Sequence, residues 1–580
     1  MARSLKGSSC ICRIAVLVSL VIHRACSAAD FAGAACKPTR HVALALEGGG
    51  FRAQSSGMGL ISGLLAVLGQ ELNISAPTLA GTGLLNRFDV ISSVSGSSWF
   101  MSSLMYSNTF HALVEAMAAS VGTAASQMKA KWTTPWLLAT NVDPEKFSLL
   151  GAIARDILAQ VLGKGDEDTL YTLQYFLATS FTWNDFVAVL LNSTASIGPD
   201  VALGSSTAAW TNEKIWLIDH TLLLPSGQQE AAFYQGKLFY PKASYAVQTS
   251  ASIPLMVPAK FSMKLGSGIN SSAPLPYVAS TAISSLEDFD YTGVVLPIID
   301  HFSKKSGALD IRDLTGGVLV TGAGKLPVTG VTAASSAFLG VAPVAGIFVD
   351  EGLALTDGDV TPWVSTAPDG AAFKVANELV YGLQSWGGVN KQAIDALAQN
   401  DVHGVIDAGY TDGTGISHAV QAGADEILAV LNSNSTNDPF YVEILFKDGP
   451  APVEPGSSAE IYPVFESPVA SAVRSDFLQF HKLHLPSAKY LKTLAVGTLR
   501  EAVTADNKFF GISQGRTVTL HIINICADLS IGLGVNFDNY DMLAQEIAEA
   551  LLAKQNVGFV KSTLMPMLLG PGKRLPSVII

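Results

Sequence analysis

Two short stretches of the sequence carry residues whose types and spacing suit acyl-transfer chemistry. EGGGFRA, residues 47–53, sets three glycines between an apolar run and a helical pattern. ISSVSGSSWFMSS, residues 91–103, sets a group of serines between an apolar run and the helical spacing of Trp99, Phe100 and Leu104. Backbone N–H groups at a helix start bind anions, and a serine on a sharp strand-to-helix turn can be a nucleophile.

Ser95 is the best-placed nucleophile in the serine-rich stretch. Gly96 follows it, and small residues lie two positions before and after it, at Ser93 and Ser97. Four neighbouring serines are less well placed. Ser92 and Ser93 lie too early for the helix, and Ser97 and Ser98 lie inside its first turn, where capping is the expected role. The strict G-x-S-x-G pattern is not met, so a capping or loop role for Ser95 stays open.

The glycine turn is a candidate oxyanion or phosphate site. Gly49 and Gly50 leave N–H groups uncovered at a helix start, and Arg52 places a guanidinium beside them, which suits a phosphate or carboxylate. No G-K-[ST] follows, and the GxGxxG spacing of a dinucleotide site is missing. Tight strand-on-helix packing, with Arg52 in a structural ion pair, is the alternative.

Asp407 is the candidate base. In GVIDAGYTDG it ends an apolar run, where its carboxylate can be held rigidly and can accept the proton of a serine hydroxyl. A turn-initiating role is the common alternative. Other acids are rivals in a more polar context: Asp350, Asp357 and Asp359. His403 and His418 flank Asp407, so a Ser-His-Asp triad also stays open.

The elements around these residues predict an α/β core with a largely parallel sheet. A strand at 42–46 leads into a helix, and a second strand–turn–helix unit surrounds Ser95. Later elements are a strand resuming near 316–320, strands at 424–431 and 516–525, and a helix at 540–554 capped by Asp538 or Asp541. Residues from about 110 to 310 look like an inserted cap or lid, with a helix from Asp143 to Gly163.

Composition and charge exclude several classes of function. The chain has 580 residues, 49% of them hydrophobic, with a mean hydropathy of +0.34, which supports a large core. Its net charge is 36 − 48 = −12, and no long Lys/Arg run is present, so nucleic acid is not an expected partner. We predict no cofactor and no metal ligand set.

The N-terminus predicts secretion. Arg3 and Lys6 precede an apolar run at 14–22 and small residues at 26–29, the order of a signal peptide ending near residue 29. Cys36 and Cys526 then remain, either as a disulfide or as two separate thiols. Four N-x-S/T sequons agree with a lumenal or secreted destination: Asn73, Asn192, Asn270 and Asn434.

Taken together, EGGGFRA, VSGSSWFMSSLMYS and VIDAGYTDG resemble the catalytic set of group IV cytosolic phospholipase A2 and fungal lysophospholipase/phospholipase B. VTAASSAF, residues 331–338, resembles a serine-rich core segment of that family. The resemblance implies a patatin-like three-layer domain over 37–580, with a central mostly parallel or mixed sheet and a helical cap at about 110–310. It also implies a phospholipid or lysophospholipid substrate at a membrane or micelle surface.

The resemblance implies a role for each candidate residue. Ser95 would be the nucleophile and Asp407 the base of a dyad without histidine; Gly49 and Gly50 would form the oxyanion hole and Arg52 would hold the lipid phosphate. The glycine turn lies soon after the signal peptide, which favours the secreted, calcium-independent branch. One residue departs from the pattern: Ser93 replaces a glycine. A catalytically inactive lipid-binding protein of the same fold is therefore the alternative.

Overall fold

The structure is a computed structural model. The chain divides into two units, Met1–Arg40 and His41–Ile580, and every described residue belongs to the second. The described residues are 41–140, 183–203, 205, 207–224, 255–265, 274–276, 293–295, 319–321, 328–336, 404–433, 440–449, 462–466, 479–486, 488–507, 510, 512–529 and 538–570. The signal peptide, Cys36 and the helix expected at 143–163 lie outside them.

The described ranges contain twelve strands, most of them formed by apolar runs of the sequence. They are β1 His41–Leu46, β2 Val90–Ser93, β3 Ile215–Leu224, β4 Leu255–Lys264, β5 Pro274–Pro276, β6 Gly293–Val295, β7 Leu319–Thr321, β8 Gly404–Asp407, β9 Ala424–Ser433, β10 His481–Lys482, β11 Leu491–Val503 and β12 Thr517–Ala527. The strands predicted at 42–46, 424–431 and 516–525 are confirmed as β1, β9 and β12.

Ten strands form one mixed sheet, in the order β10-β11-β12-β9-β1-β2-β3-β4-β6, with β8 also paired to β3. The central pairs, from β12 through β9, β1 and β2 to β3, are parallel. The outer pairs are antiparallel. The predicted α/β class, with a mostly parallel centre, is therefore confirmed.

Thirteen α-helices are described. They are α1 Gly50–Leu72, α2 Leu79–Thr82, α3 Gly96–Tyr106, α4 Asn108–Ala119, α5 Ala124–Met128, α6 Thr134–Thr140, α7 Trp183–Ala195, α8 Val328–Ser335, α9 Ile416–Gln421, α10 Phe440–Glu443, α11 Asp538–Leu552, α12 Lys554–Phe559 and α13 Met565–Leu569. The C-terminal helix predicted near 540–554 is α11. Within the described ranges, no helix is both long and apolar enough to cross a membrane.

Side-chain alternation along the strands builds a hydrophobic core on each face of the sheet, which gives three layers. On β1, Leu44 and Leu46 join the larger core, where α1, α3 and α11 pack. Ala43 and Ala45 point to the opposite core, where α9 packs. Helix α1 is buried along most of its length, so it links the glycine turn firmly to the sheet.

The predicted cap at about 110–310 needs a correction. Strands β3, β4 and β6 lie within this range and extend the central sheet, so that part of it is not a separate cap. The run IWLIDHTLLL supplies a sheet strand because it is apolar almost throughout. The strand expected to resume the core near 316–320 is also reassigned, since β7 pairs with β5 in a separate two-stranded sheet.

Candidate active site

Two strands meet end to end on β3 and bring the candidate residues together. Strand β2 runs parallel to the first half of β3 and ends with Ser93 opposite Ile218. Strand β8 runs antiparallel to the second half and ends with Asp407 opposite His220. The polypeptide therefore leaves β2 and β8 at the same point of the sheet, and the turn after β2, which holds Ser95, faces the turn after β8.

Ser95 occupies a sharp turn between β2 and α3. Its φ of 52° and ψ of −123° form a conformation that non-glycine residues rarely adopt, as on a nucleophile elbow. Its hydroxyl donates a hydrogen bond to Oδ2 of Asp407 at 2.8 Å. Ser95 is partly exposed, whereas its serine neighbours in the turn and in the first turn of α3 are buried. The structure thus places the two predicted catalytic residues in direct contact.

Asp407 is buried and held at both oxygens. The N–H of Gly409 donates to Oδ1 at 2.8 Å, and Ser95 donates to Oδ2. Burial raises the pKa of this carboxyl to about 7, against the smaller opposing effect of the two hydrogen bonds. A carboxylate with a pKa near neutrality is suited to take a proton from a hydroxyl.

The glycine turn packs directly against the serine turn. Gly49 and Gly50 have positive φ values of 125° and 52°. A Cβ on Gly96 would lie 2.1 Å from the carbonyl oxygen of Gly50, so only glycine permits this approach. Since α1 begins at Gly50 and α3 at Gly96, two helix N-termini with their N–H groups converge beside Ser95. This arrangement can stabilise a developing oxyanion.

Arg52 lies on the inner side of the glycine turn. Its Nη1 donates to the carbonyl of Leu529 at 3.1 Å and its Nη2 to the carbonyl of Asn432 at 2.7 Å. The residue is only 7% exposed. The guanidinium therefore ties α1 to the C-terminal ends of β9 and β12, and its positive charge lies close to Gly49.

Ser93, the departure from the family pattern, is accommodated without strain. It lies at the end of β2, is fully buried and does not have a positive φ. Its hydroxyl accepts from Nε1 of Trp216 at 2.9 Å and lies 3.0 Å from Oγ of Ser98. The turn closes with a serine at this position because the added hydroxyl finds polar partners in the core.

The residues after Asp407 are held by a second carboxylate. Asp412 accepts from the N–H groups of Thr414, Gly415 and His418 at 3.0 to 3.2 Å, which starts α9. Asp219, Asp412 and His418 bring potential metal ligands within 4.8 Å of one another, and all three are buried. The hydrogen bonds to Asp412 already account for a role in shaping the turn.

The histidines do not form the triad that the sequence left open within the described residues. Ser95 donates directly to Asp407, and the ring of His418 packs edge-on against Phe510 at 5.1 Å. His220, opposite Asp407, has its pKa lowered to about 3 by burial, and its Nδ1–H donates to the carbonyl of Ile218 at 2.6 Å. His403 and the rival acids lie outside the described residues: Asp350, Asp357 and Asp359.

Sequence reasoning missed two elements that support the site. Strand β3, which aligns both turns, fell inside the predicted cap. Helix α8 carries hydroxyl groups that bond to the serine turn, and its only signal was the serine-rich stretch VTAASSAF, which had no assigned role. Its described contacts run from Ser335, Ser336 and Thr332 to Ser95, Ser98, Trp99 and Ser102.

The fold and the site define the class: an α/β protein with a serine–carboxylate pair beside a glycine-rich turn at a helix start. Residues 42–147 match the family model of the lysophospholipase catalytic domain. This match confirms the resemblance of EGGGFRA and VSGSSWFMSSLMYS, both of which lie inside the matched segment. Asp407 lies outside the matched segment.

The other comparisons are more distant. The solved structure of human GIVD cytosolic phospholipase A2 aligns with 91% of this chain at 13% identity and a TM-score of 0.35. The alignment covers 62% of that protein, so the chain spans less than two thirds of its length. No curated protein matches the chain in sequence.

Proposed function

We propose that the protein hydrolyses fatty-acyl esters of phospholipids or lysophospholipids through an acyl-serine intermediate. The observation that carries the proposal is the 2.8 Å hydrogen bond from Ser95 to Asp407 on a strained turn beside the glycine-rich helix start. The family match at residues 42–147 supports the lipid-ester substrate class.

The geometry supports a two-step mechanism. Asp407 takes the Ser95 proton as the serine oxygen attacks the ester carbonyl, and the N–H groups of Gly49 and Gly50 stabilise the oxyanion. The tetrahedral species expels the alcohol, which leaves with the proton from Asp407, and an acyl-serine remains. Asp407 then takes a proton from water, the hydroxide attacks the acyl carbonyl, and the fatty acid leaves as Ser95 regains its proton.

Arg52 has an electrostatic role in this proposal. Because its Nη1 and Nη2 each donate to a backbone carbonyl, the guanidinium is fixed in position beneath the glycine turn. A fixed positive charge there favours an anion at the helix start, whether the lipid phosphate or the oxyanion. The phosphate-binding role implied by the family resemblance thus remains part of the proposal.

Location and metal dependence complete the proposal. The signal-peptide pattern at residues 1–29 supports a secreted or lumenal protein that acts on lipid at a membrane or micelle surface. Calcium independence is proposed because proton transfer is assigned to Asp407 and oxyanion binding to backbone N–H groups. Hydrolysis measured in excess chelator should equal hydrolysis with added calcium.

Lipid product analysis tests the proposed activity. Wild-type protein, Ser95→Ala and Asp407→Ala are incubated with phosphatidylcholine and lysophosphatidylcholine, and released fatty acid is measured. We expect release only by the wild type. Ser103→Ala is the matched control, because Ser103 is a buried serine of α3 whose hydroxyl has no hydrogen-bond partner within the described structure. It should keep wild-type turnover.

An inactive lipid-binding protein is the second candidate, which the sequence left open because a serine replaces glycine at position 93. It predicts that wild type binds lipid vesicles without releasing fatty acid and that a fluorophosphonate probe leaves Ser95 unlabelled. Equal turnover by the wild type and Ser95→Ala would instead exclude Ser95 as the nucleophile.

A further inference from the structure

A chain of four hydroxyl and indole groups runs beneath the nucleophile. Trp216 Nε1 donates to Ser93 Oγ, which lies 3.0 Å from Ser98 Oγ, and Ser98 Oγ lies 2.9 Å from Ser335 Oγ. The chain ends at the nucleophile itself, since the backbone N–H of Ser95 donates to Ser335 Oγ at 3.2 Å. The three serine hydroxyls of the chain are buried.

The hydrogens of these groups can be placed consistently, with each hydroxyl donating its single proton once. Ser98 lies 3.1 Å from the carbonyl of Ser93 and donates to it, since a carbonyl only accepts. Ser93 and Ser335 can then both donate to Ser98 Oγ. Oγ of Ser335 then accepts a hydrogen bond from the N–H of Ser95. With this arrangement each of the four linked side chains has a hydrogen-bond partner.

We propose that Ser335 is a positioning residue that holds the strained Ser95 backbone in its reactive conformation by accepting its N–H. Ser335 lies in α8, 240 residues after Ser95 in the sequence, so the contact connects the turn that holds Ser95 to a separate element of the fold. The contact also occupies the N–H of Ser95, so oxyanion binding stays with the N–H groups of Gly49 and Gly50. This inference rests on the proposed function.

The test compares Ser335→Ala with Ser336→Ala. Both serines are buried at the C-terminal end of α8, but Ser336 accepts from Trp99 Nε1 at 2.8 Å and its described hydrogen bonds do not include Ser95. Each change leaves one N–H without its acceptor, the partly buried backbone N–H of Ser95 or the buried indole N–H of Trp99, so both variants are expected to lose melting temperature. Only Ser335→Ala should disturb the nucleophile.

Two rates are measured for each variant: ester hydrolysis and labelling of Ser95 by a fluorophosphonate. For Ser335→Ala we expect kcat and the labelling rate constant to fall about 10- to 100-fold, with KM unchanged. Ser336→Ala should stay within about twofold of the wild type, since surface binding and Ser95 geometry are untouched. If Ser335→Ala does not fold, Ser335→Cys replaces it, because sulfur is a weaker acceptor of similar size.

The outcomes separate the inference from the function on which it rests. A wild-type protein that neither labels nor hydrolyses overturns the proposed function and the inference together. A reactive wild type with an equally reactive Ser335→Ala or Ser335→Cys overturns the inference alone. Equal losses of rate in Ser335→Ala and Ser336→Ala also overturn it, because they show a general loss of packing.

Discussion

Ser93 and Asp407 end two different strands yet lie opposite residues only two positions apart on β3, at Ile218 and His220. The two strands approach this point from opposite directions along the same edge of β3. The distance between the serine turn and the acid turn is therefore set by backbone pairing to one strand. This explains how Ser95 and Asp407, 312 positions apart in the sequence, form a 2.8 Å hydrogen bond.

The buried state of Asp407 predicts the pH dependence of catalysis. Its carboxyl must be ionised to accept the Ser95 proton, and burial raises its pKa to about 7. We expect kcat/KM to fall about tenfold per pH unit below 7 and to level off above it. The measurement uses a soluble short-chain ester between pH 5 and 9, with folding checked at each pH. A flat profile between pH 5.5 and 8 would contradict the base assignment.

The same carboxyl predicts a pH-dependent stability difference between wild type and Asp407→Asn. The pKa is about 7 in the folded protein and 3.8 in the unfolded chain, so the folded state binds more protons between these values. The favourable effect is complete below pH 3.8 and is lost as pH rises through 7. Asparagine stays neutral, so Asp407→Asn should gain stability relative to the wild type from pH 5 to pH 8.

Urea denaturation of both proteins at pH 5 and pH 8 measures this difference. Other groups titrate equally in the two proteins and cancel in the comparison. Asp407→Asn should also lose hydrolysis at both pH values, because an amide cannot act as the base. A stability difference that stays constant between the two pH values would show that Asp407 ionises as freely as it does in the unfolded chain.

The candidate catalytic residues were easier to predict than the elements that hold them. Ser95 and Asp407 each follow a local signal, a small-residue turn and an acid at the end of an apolar run. Strand β3 has an equally clear apolar pattern, but its pairing with β2 and β8 depends on contacts distant in sequence. Ser335 looked like one serine among many, since its role depends on where α8 packs.

Arg52 shows a second limit on what can be predicted from the sequence. A guanidinium beside a glycine turn suggests a bound anion, and nothing local indicates that two of its nitrogens bond to the carbonyls of Asn432 and Leu529. These partners come from segments about 380 and 477 residues later. The chemistry of a side chain could be predicted here, whereas its partners required the fold.

Gly96 is predicted to be the least tolerant position of the serine turn. A Cβ there would lie 2.1 Å from the carbonyl oxygen of Gly50 and 2.5 Å from its Cα, so the two turns must move apart. We expect Gly96→Ala to lower kcat/KM by about two orders of magnitude or more, since small displacements of reacting groups are costly. The measurement is kcat/KM with the melting temperature of the same preparation.

Gly558→Ala is the matched control for that substitution. Gly558 lies in α12, and a Cβ there meets no atom within 4 Å. Alanine favours a helix by about 1 kcal/mol over glycine, so this variant should keep wild-type activity with equal or greater stability. If Gly96→Ala retained wild-type kcat/KM, the close packing of the glycine turn on the serine turn would not be needed for activity.

The hydrogen bond from Trp216 to Ser93 predicts energetic coupling between the two residues. Both are buried, so Ser93→Ala leaves the indole N–H without its acceptor and should cost about 1–3 kcal/mol of unfolding free energy. Trp216→Phe removes the donor, and adding Ser93→Ala to it should then cost less. Urea denaturation of the wild type, both single variants and the double variant measures a coupling of about 0.5–3 kcal/mol.

The size of that coupling decides what Ser93 contributes in place of glycine. If the two single losses add to within about 0.5 kcal/mol, the serine is merely tolerated at the end of β2. A larger coupling means that the hydroxyl stabilises the turn below Ser95. Ser93→Gly should then lose stability as well, because it removes the acceptor and frees the backbone of the unfolded chain, even though glycine is the residue of the family pattern.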